Sequence, residues 1–448
     1  MLDSVRAAMA LPDLRRRILF TIGMLVVYRL VSNIPVPGVD LTAWNAFLES
    51  SQAGGLIQVL NLLSGGAVSN FSVMALGVYP YITASIIIQL LTPIIPQLEE
   101  MASEGEAGQH KRNRLTYYLT VPLAILQAVG QIRLIGFSVP GGLESIMPNF
   151  GLSGGDLLPT LTTLIAMTAG TMFAIWLGEQ ITDEGIGQGI SLIIFGGIVA
   201  QIPGQLAGLL ALPDATARLF TIAAFVVITI LTVLVIVVVQ EGQRRIPVQY
   251  GRRVRGRKVY QGQSTHIPLK VNTAGMIPII FAQSILTFPA LLAQFFISEE
   301  GGALNAIAQW VNTQFGSQSS FLYWAIYFVL VVGFTFFYTD VMVQQQKLPE
   351  TLQRQGGFIP GKRPGRPTAD YVMAVVRRIT LVGAIFLGVV AILPGIMQFV
   401  GRVLRIQGIE QSALVISGAG LIIVVGVVID TMRQLEAQLL MRHYESFI

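Results

Sequence analysis

The sequence predicts an all-α integral membrane protein with ten transmembrane helices, on the basis of three observations. The first is composition: 53% of the 448 residues are hydrophobic and only 12% are Asp, Glu, Lys or Arg, whereas soluble globular domains carry about 25% charged residues. The second is a series of apolar runs long enough to cross a bilayer. The third is an uneven distribution of Lys and Arg between the segments that join those runs. Too little polar surface remains to cover a water-soluble fold.

Ten apolar runs approach the roughly 20 residues that a helix needs to cross the hydrocarbon core of a bilayer. Because the strands of a membrane barrel alternate at period two, continuous runs of this kind indicate helices. In chain order, the predicted spans cover residues 18–34, 73–95, 115–136, 158–178, 188–211, 218–240, 271–297, 319–342, 375–397 and 412–432.

The distribution of cations predicts that both termini face the cytoplasm. With that orientation, 24 of the 29 Lys and Arg residues fall in cytoplasmic segments, as the positive-inside rule requires. The two segments richest in cations are the loops 241–270 and 344–378. Five of the predicted spans precede residue 211 and five follow it, which predicts two halves, residues 1–210 and 211–448. An odd number of spans per half would turn the second half upside down relative to the first.

Residue types that carry chemistry are scarce in this chain. There is no cysteine, and the three histidines, His110, His266 and His443, lie in separate polar stretches. The sequence therefore predicts neither a thiolate site nor a histidine metal site, and it predicts no cofactor. No Asp, Glu or Lys lies in the middle of a predicted span, so ion-coupled pumping is poorly supported. We expect a protein that is not an enzyme.

One cluster of acids lies in the turn between the fourth and fifth spans, at Glu179, Asp183 and Glu184. A solvated acidic turn is the favoured interpretation, and a divalent-metal site is the alternative. On the residues alone, two further function classes stay open. A transporter for a neutral solute would need a polar site at mid-membrane, and a membrane-embedded transferase would need clustered acids beside an apolar groove.

Four long motifs, in order along the chain, resemble one family. They are QVLNLLSGGAVSNFS and ALGVYPYITASIIIQLL over 58–91, WLGEQITDEGIGQGIS over 176–191, EGQRRIPVQY and QSTHIPLKVN within 241–272, and GFIPGKRPG over 357–365. Together with the ten-span layout, they resemble the SecY family, the protein-conducting channel subunits of the bacterial Sec translocon. One departure is Gln188, where the family often has Asn, and the polar character is kept.

The resemblance implies an hourglass channel with a short plug helix and a ring of apolar residues at its waist. The plug covers about 58–72 and matches Leu60, Asn61, Leu62, Leu63, Ser64, Gly65 and Gly66. The ring matches Ile82, Ile86, Ile190, Ile194, Ile280 and Ile423. Residues four apart share one helix face, and a collar of β-branched side chains offers ions no ligand and blocks them by dewetting.

The resemblance also implies a lateral gate toward lipid, between the second and seventh spans and close to the third. The matching positions are Ile87, Gln89, Leu90, Gln127, Asn272, Gln283 and Phe288. We expect Gln127 and Asn272 to favour the closed gate, because their hydrogen bonds are hard to replace in hydrocarbon.

Two basic loops are the predicted docking sites. Their cation density exceeds what orientation in the membrane requires, and such loops favour RNA phosphates or an acidic protein surface. By resemblance, Arg245, Arg257 and Lys258 match ribosome-facing positions, and Arg363 matches the family's prominent loop arginine.

The function implied by the resemblance is a passive conduit in the bacterial plasma membrane. Secretory chains would cross it, and apolar helices would leave it sideways into the lipid bilayer. The implied partners are the SecE and SecG subunits, the SecA ATPase, the ribosome, signal peptides and nascent chains.

Overall fold

Helices dominate the computed structural model of this protein, which confirms the helical membrane part of the prediction. The structure describes residues 6, 8–49, 64, 66–92, 94–139, 142–151, 154–210, 215–250, 253–255, 258–260, 264–293, 296–297, 302–316, 320–345, 352, 354, 357–363, 365–404 and 418–445.

The first group of helices runs as far as the basic loop at 241–270. It comprises α1 (Pro12–Val31), α2 (Leu41–Glu49), α3 (Tyr79–Leu91), α4 (Pro96–Ser103), α5 (Glu106–Ser138), α6 (Leu157–Glu184), α7 (Gly189–Leu210) and α8 (Ala215–Glu241). Two short 3₁₀ turns, Leu143–Ser145 and Gly154–Asp156, lie between α5 and α6.

The second group of helices follows the basic loop. It comprises α9 (Ile277–Ala293), α10 (Ala303–Gly316), α11 (Phe321–Gln345), α12 (Arg366–Ala391), α13 (Leu393–Leu404) and α14 (Gly418–Glu445).

Eight of these helices are apolar enough to belong to the membrane-embedded part, within the described ranges. Four are long enough to cross a bilayer: Glu106–Gly136, Leu157–Glu184, Phe321–Val343 and Arg366–Ala391. Four shorter apolar stretches lie within α3, α7, α8 and α9: Tyr79–Leu91, Gly189–Gly204, Phe225–Glu241 and Ile277–Ala290. All eight overlap predicted spans, although α5 and α12 begin at Glu106 and Arg366, each nine residues before the predicted span. The count of ten, the two symmetric halves and the orientation stay predictions.

The second predicted span differs from the structure at its beginning. Residues 73–78 form turns, and helix α3 begins only at Tyr79. Pro80 occupies the first turn of α3. Backbone N–H groups in a first turn have no acceptor within the helix, so the missing N–H of proline costs no helical hydrogen bond there. A continuous apolar run in the sequence does not distinguish an apolar turn from an apolar helix, so the predicted span began too early.

By internal contacts the chain divides into two compact units. The first comprises Met1–Arg218, Gln283–Trp324 and Ile423–Ile448, and the second comprises Leu219–Ala282 and Ala325–Ile422. In the first unit, the largest core joins α2, the turns after residue 66, α5 and α6. Its buried members include Trp44, Phe47, Phe71, Ile132 and Met167. A smaller core in the same unit consists of Ala8, Leu14, Ile186 and Leu435.

Helix α2 begins behind an acidic cap. One carboxylate oxygen of Asp40 accepts hydrogen bonds from the Thr42 hydroxyl (2.5 Å) and from the backbone N–H groups of Thr42 (2.9 Å) and Ala43 (3.3 Å). The bond from the Thr42 hydroxyl is the main cause that holds the pKa of Asp40 below its usual range. The cap is therefore complete at neutral pH and is lost when acid protonates the carboxylate.

The second unit contains a small sheet, which the all-α prediction left out. Strands β1 (Gln243–Tyr250), β2 (Arg253–Arg255), β3 (Lys258–Tyr260) and β4 (Ser264–Lys270) lie in the basic loop 241–270, and β5 is Gly357–Phe358. One sheet has the order β4-β1-β5, all antiparallel, and β2 pairs with β3.

The alternation of side chains explains this sheet. Along β1, Ile246 and Val248 are buried while their neighbours are exposed. These two side chains form a core with Val343 of α11 and with Val372 and Val376 of α12. A pattern with period two buries one face of a strand and leaves the other in water.

Candidate functional site

Helix α3 places two of the predicted ring residues on one face. Ile82 and Ile86 are four residues apart, so they lie one above the other on the helix. Only 8% of the Ile82 side chain and 2% of the Ile86 side chain are exposed. The apolar side chains that the collar would need are thus packed inside the protein rather than turned to the lipid.

The other predicted ring residues are buried or half-buried. Ile194 of α7 and Ile423 of α14 are buried in the first unit, and Ile280 of α9 is buried in the second. Ile190 of α7 is half-buried against α6: a Cβ added to Gly178 would lie 2.9 Å from its Cγ1 atom. The arrangement of all six isoleucines as one ring stays a prediction.

The middle of the predicted plug contacts α1. The Tyr28 hydroxyl donates a buried hydrogen bond of 2.8 Å to the Ser64 carbonyl. Ser64 Oγ accepts a 3.3 Å bond from the backbone N–H of Val68. A guanidinium nitrogen of Arg29 lies 3.0 Å from the position of an added Cβ at Gly66. Leu60, Asn61, Leu62, Leu63 and Gly65 lie outside the described residues.

The last residues of the predicted plug and the turns that lead to α3 are fixed on the large core of the first unit. The Trp44 indole N–H donates a 2.8 Å bond to the Ser69 carbonyl, and the Trp44 ring packs edge-on against Phe71 at 5.2 Å. Helix α6 approaches the backbone of Val73 directly, because a Cβ added to Gly170 would lie 2.0 Å from the Val73 carbonyl oxygen. These contacts set the position at which α3 begins.

A chain of buried polar groups links α3 to α5. The Gln127 amide donates a 3.3 Å bond to Thr83 Oγ1, and Thr83 Oγ1 donates a 3.0 Å bond to the carbonyl of Tyr79. Gln127 was predicted for the gate, and the structure gives it a partner on α3. The part of Thr83 was missed, since a threonine in an apolar run is not distinctive in sequence.

A second buried link joins α3 to α9. The Tyr79 hydroxyl donates a 3.0 Å hydrogen bond to the carbonyl of Ser284. One position earlier, the Gln283 amide donates a 3.2 Å bond to the Tyr323 hydroxyl of α11. Sequence analysis predicted Gln283 but not Tyr79 or Ser284. Tyr79 lies in a motif that also contains Tyr81, Thr83, Ser85 and Gln89, so nothing in the motif distinguishes it.

Of the remaining gate positions, two form hydrogen bonds close by in the chain and three are apolar. Gln89 donates a 3.1 Å bond to Ser85 of its own helix. Asn272 lies in the second unit, is 5% exposed, and donates a 2.9 Å bond to the carbonyl of Gly275. Ile87, Leu90 and Phe288 are half-buried. Asn272 thus caps the turn before α9, and its part in the gate stays a prediction.

One exposed face of the small sheet is basic. Arg245 points away from the buried pair Ile246 and Val248. His266 and Lys270, on the neighbouring strand β4, are exposed as well and pair with Pro247 and Gln243. Lys258 forms part of β3, paired with Arg255. Arg257 lies outside the described residues. His266 and Lys270 were not predicted, because the loop was not predicted to form strands.

Arg363 is exposed and lies in the turn that precedes α12. Gly361 and Gly365 flank it with φ values of +80° and +100°, a backbone region that favours glycine. The hydroxyl of Thr368 donates a 2.7 Å bond to the Arg363 carbonyl. Lys362 lies 5.3 Å from the centre of the Tyr371 ring. The guanidinium of Arg363 is therefore presented to solvent on a fixed backbone.

The three acids predicted for a turn, Glu179, Asp183 and Glu184, lie instead at the C-terminal end of helix α6, so the predicted turn between the helices was wrong. The Tyr117 hydroxyl of α5 donates a hydrogen bond to the Glu179 carboxylate of α6, and the Tyr117 ring stacks on Tyr81 of α3. Within the described ranges, no group of three His, Asp or Glu side chains is placed to hold a metal ion. Glu179 thus joins the packing of three helices.

Comparisons of the sequence and of the structure with known proteins both find protein-conducting channels. The sequence profile of the SecY family matches residues 72–432. A relative from Mycobacterium bovis named protein translocase subunit SecY is 41% identical, and the match covers 100% of both chains.

Two solved structures share the fold. One, described as the structure of a protein conducting channel, has a TM-score of 0.63 and 18% identity, covering 94% of this chain and 92% of that one. The other, Sec61 in the canine ribosome-channel complex, has a TM-score of 0.61 with the same identity and coverage.

Proposed function

Because the chain belongs to the SecY family, we propose that it is the central subunit of a Sec protein translocation channel in the bacterial plasma membrane. The observation that carries this function is the match over the whole chain to a protein translocase subunit. It is a multi-pass channel subunit and not an enzyme. The neutral-solute transporter and the transferase are no longer needed to explain the sequence.

The proposed path for a secretory chain runs past the buried isoleucines of α3, α7 and α14. Stiff apolar side chains such as Ile86 and Ile194 offer an ion no ligand, so an idle pore stays dry and closed. An extended chain can replace the contacts of these side chains with its own. The plug, which is bonded to α1 through Tyr28 and Ser64, would have to move away from the collar.

The proposed lateral gate lies between α3 and α9, with α5 beside it. Apolar helices leave through it because each Leu, Ile or Phe gains about 0.3–0.6 kcal/mol at mid-bilayer, while a charge costs about 2.5–3.5 kcal/mol. The bonds from Tyr79 to Ser284 and from Gln127 to Thr83 hold α3 to its two neighbours. Both bonds favour the closed gate.

Removing the Tyr79 hydroxyl is expected to make this gate open more easily. Buried hydrogen bonds between membrane helices contribute about 0.6–2 kcal/mol, which corresponds to about threefold to thirtyfold in a two-state equilibrium. We expect Tyr79→Phe to increase the translocation of a precursor with a weakened signal sequence by a factor in this range.

The control for Tyr79→Phe is Tyr118→Phe, which removes the same hydroxyl from a side chain that is 67% exposed. This variant is expected to behave as the parent protein. Equal translocation of the weakened precursor by the parent and by Tyr79→Phe would contradict the role of this bond.

The proposed partners follow from the family and from the basic surfaces. The exposed face of β1 and β4, with Arg245 and Lys270, suits RNA phosphates, and the relative Sec61 is a channel found in a ribosome complex. The turn around Arg363 suits an acidic surface of a motor protein such as SecA. SecE and SecG subunits complete the proposed complex, and signal peptides and nascent chains are its cargo.

The experiment that tests the function is reconstitution of this chain with a SecE partner in liposomes. A precursor with a signal sequence is expected to become protected from protease when SecA and ATP are added. Arg363→Glu is expected to abolish this protection, because reversing an exposed charge repels an acidic motor surface.

The matched control is Arg354→Glu, which reverses another exposed charge of the same basic loop and is expected to keep protection. Protection that survives Arg363→Glu would remove the docking role of that residue and keep the channel. No protection with the parent chain, while a known translocon works in parallel, would contradict the proposed function.

A further inference from the structure

Helix α10 (Ala303–Gly316) connects two apolar helices and has two different apolar edges. Along one edge, Ala308 is buried, and Phe315 packs against the large core of the first unit. Along the other edge, three large side chains have no cover: Leu304 is 70% exposed, Ile307 59% and Trp310 56%. The inner edge thus fixes the helix on the protein and leaves the outer edge for another partner.

The three exposed residues form one continuous strip. They are spaced three apart, so each lies about 60° around the helix from the previous one. Gln309, which is exposed on the opposite side, donates a 3.3 Å bond to Asn305. The helix therefore separates an apolar side from a polar side, which is typical of helices that lie in a membrane interface.

The chain around α10 keeps this helix close to the bilayer. Four residues separate its last residue, Gly316, from Phe321, the first residue of α11, a helix long and apolar enough to cross the membrane. The five Cα–Cα steps from Gly316 to Phe321 span at most about 18 Å. Phe321, the first residue of α11, is 86% exposed, so exposed apolar surface continues beyond the C-terminal end of α10.

The charge of this segment favours lipid over a protein partner. Residues 302–324 contain no Asp, Glu, Lys or Arg, so the strip has no ionic group that would select a particular partner surface. Lipid chains require only apolar contact, and a tryptophan ring with its single N–H is favoured at the boundary between headgroups and chains. Three large neighbouring apolar side chains exposed to water would be costly without such cover.

We propose that α10 is an interfacial membrane anchor whose strip Leu304, Ile307 and Trp310 is inserted at the headgroup boundary of the bilayer. The anchor holds the segment between α9 and α11 at a fixed depth and so supports the end of α9. Since helix α10 itself has no charged residue, its insertion depends on apolar contact and does not require anionic headgroups. The proposal depends on the membrane location of the chain and not on translocation activity.

The absence of native cysteine permits a direct test with single-cysteine variants. Ile307→Cys and, separately, Gln309→Cys are labelled with an environment-sensitive fluorophore and reconstituted in vesicles of zwitterionic lipid. Lipids brominated near the headgroup end of their acyl chains are expected to quench the probe at position 307 at least about twice as strongly as the probe at position 309. Lipids brominated at the chain ends are expected to quench it less.

Two further measurements show whether lipid chains, lipid headgroups or a protein surface cover the probe. Replacing part of the zwitterionic lipid with anionic lipid, or adding salt, is expected to leave the quenching unchanged. Equal quenching at 307 and 309 would contradict the proposal. A probe at 307 that neither brominated lipid nor aqueous iodide quenches would contradict it as well and would indicate a covering protein surface. Leu304→Cys repeats the test at a second position of the strip.

Discussion

Replacing Gly170 with alanine is expected to destabilise this protein by about 3 kcal/mol, the upper part of the range for overpacked sites. The added Cβ would lie 2.0 Å from the Val73 carbonyl oxygen and 2.7 Å from its carbonyl carbon. Both atoms belong to the backbone, so no side-chain rotation relieves the clash. Helix α6 and the turns at 73–78 would have to separate.

The separation would affect function as well as stability. Residues 73–78 lead directly into α3, which carries Ile82, Ile86 and the Tyr79 hydroxyl. We expect Gly170→Ala to accumulate poorly in the membrane, to unfold at a lower temperature in detergent, and to translocate little precursor.

The matched control for Gly170 is another glycine within a helix. At Gly196 of α7, an added Cβ would lie 3.4 Å from a Leu25 methyl carbon, an ordinary van der Waals distance. Gly196→Ala is expected to unfold at the temperature of the parent protein or above it, since alanine favours helix over glycine. If both variants unfolded at the parent temperature, the close packing of α6 on Val73 would be contradicted.

The positions of the apolar helices could be predicted from sequence because burial in lipid requires long apolar runs. All eight apolar helices of the described ranges were placed, since their backbone groups must be satisfied within the helix. The beginning of α3 could not be placed, because the turns at 73–78 are as apolar as the helix that follows. Their shape depends on Trp44 and Gly170, which lie far away in the chain.

The small sheet was missed for a different reason. The alternation at Ile246 and Val248 covers only a few residues, and it lies among arginines that indicated only a cytoplasmic loop. Burial of these two side chains requires the helices α11 and α12, which follow much later in the sequence. Arg245 was predicted as a docking residue, but its neighbours His266 and Lys270 became visible only through the pairing of β1 and β4.

The candidate gate shows the same division between local and long-range information. Gln127 and Gln283 could be selected because amides stand out within apolar runs. The partner of a hydrogen bond cannot be selected in this way, since Thr83 and Tyr79 resemble ordinary packing residues. Backbone carbonyls such as that of Ser284 are acceptors in every sequence, and only the packing of α3 on α9 selects this one.

The central claim is that a translocating chain passes the isoleucines of α3 and α7. In the idle protein Ile86 and Ile194 are 2% and 3% exposed, so a chain that enters must displace their packing and then contact them directly. Side chains on the lipid-facing surface would not meet it. Val227 of α8, which is 63% exposed, represents that surface.

Disulfide formation measures such contact directly, because two cysteines can be joined only when their Cα atoms lie within about 7 Å. The chain has no native cysteine, so Ile86→Cys, Ile194→Cys and Val227→Cys each provide one thiol. A precursor with one cysteine is stalled midway through the reconstituted channel, and a mild oxidant is added. Cross-links at positions 86 and 194 but not at 227 are the predicted result; equal cross-linking at 227, or none at 86 and 194 while the precursor is engaged, would contradict the account.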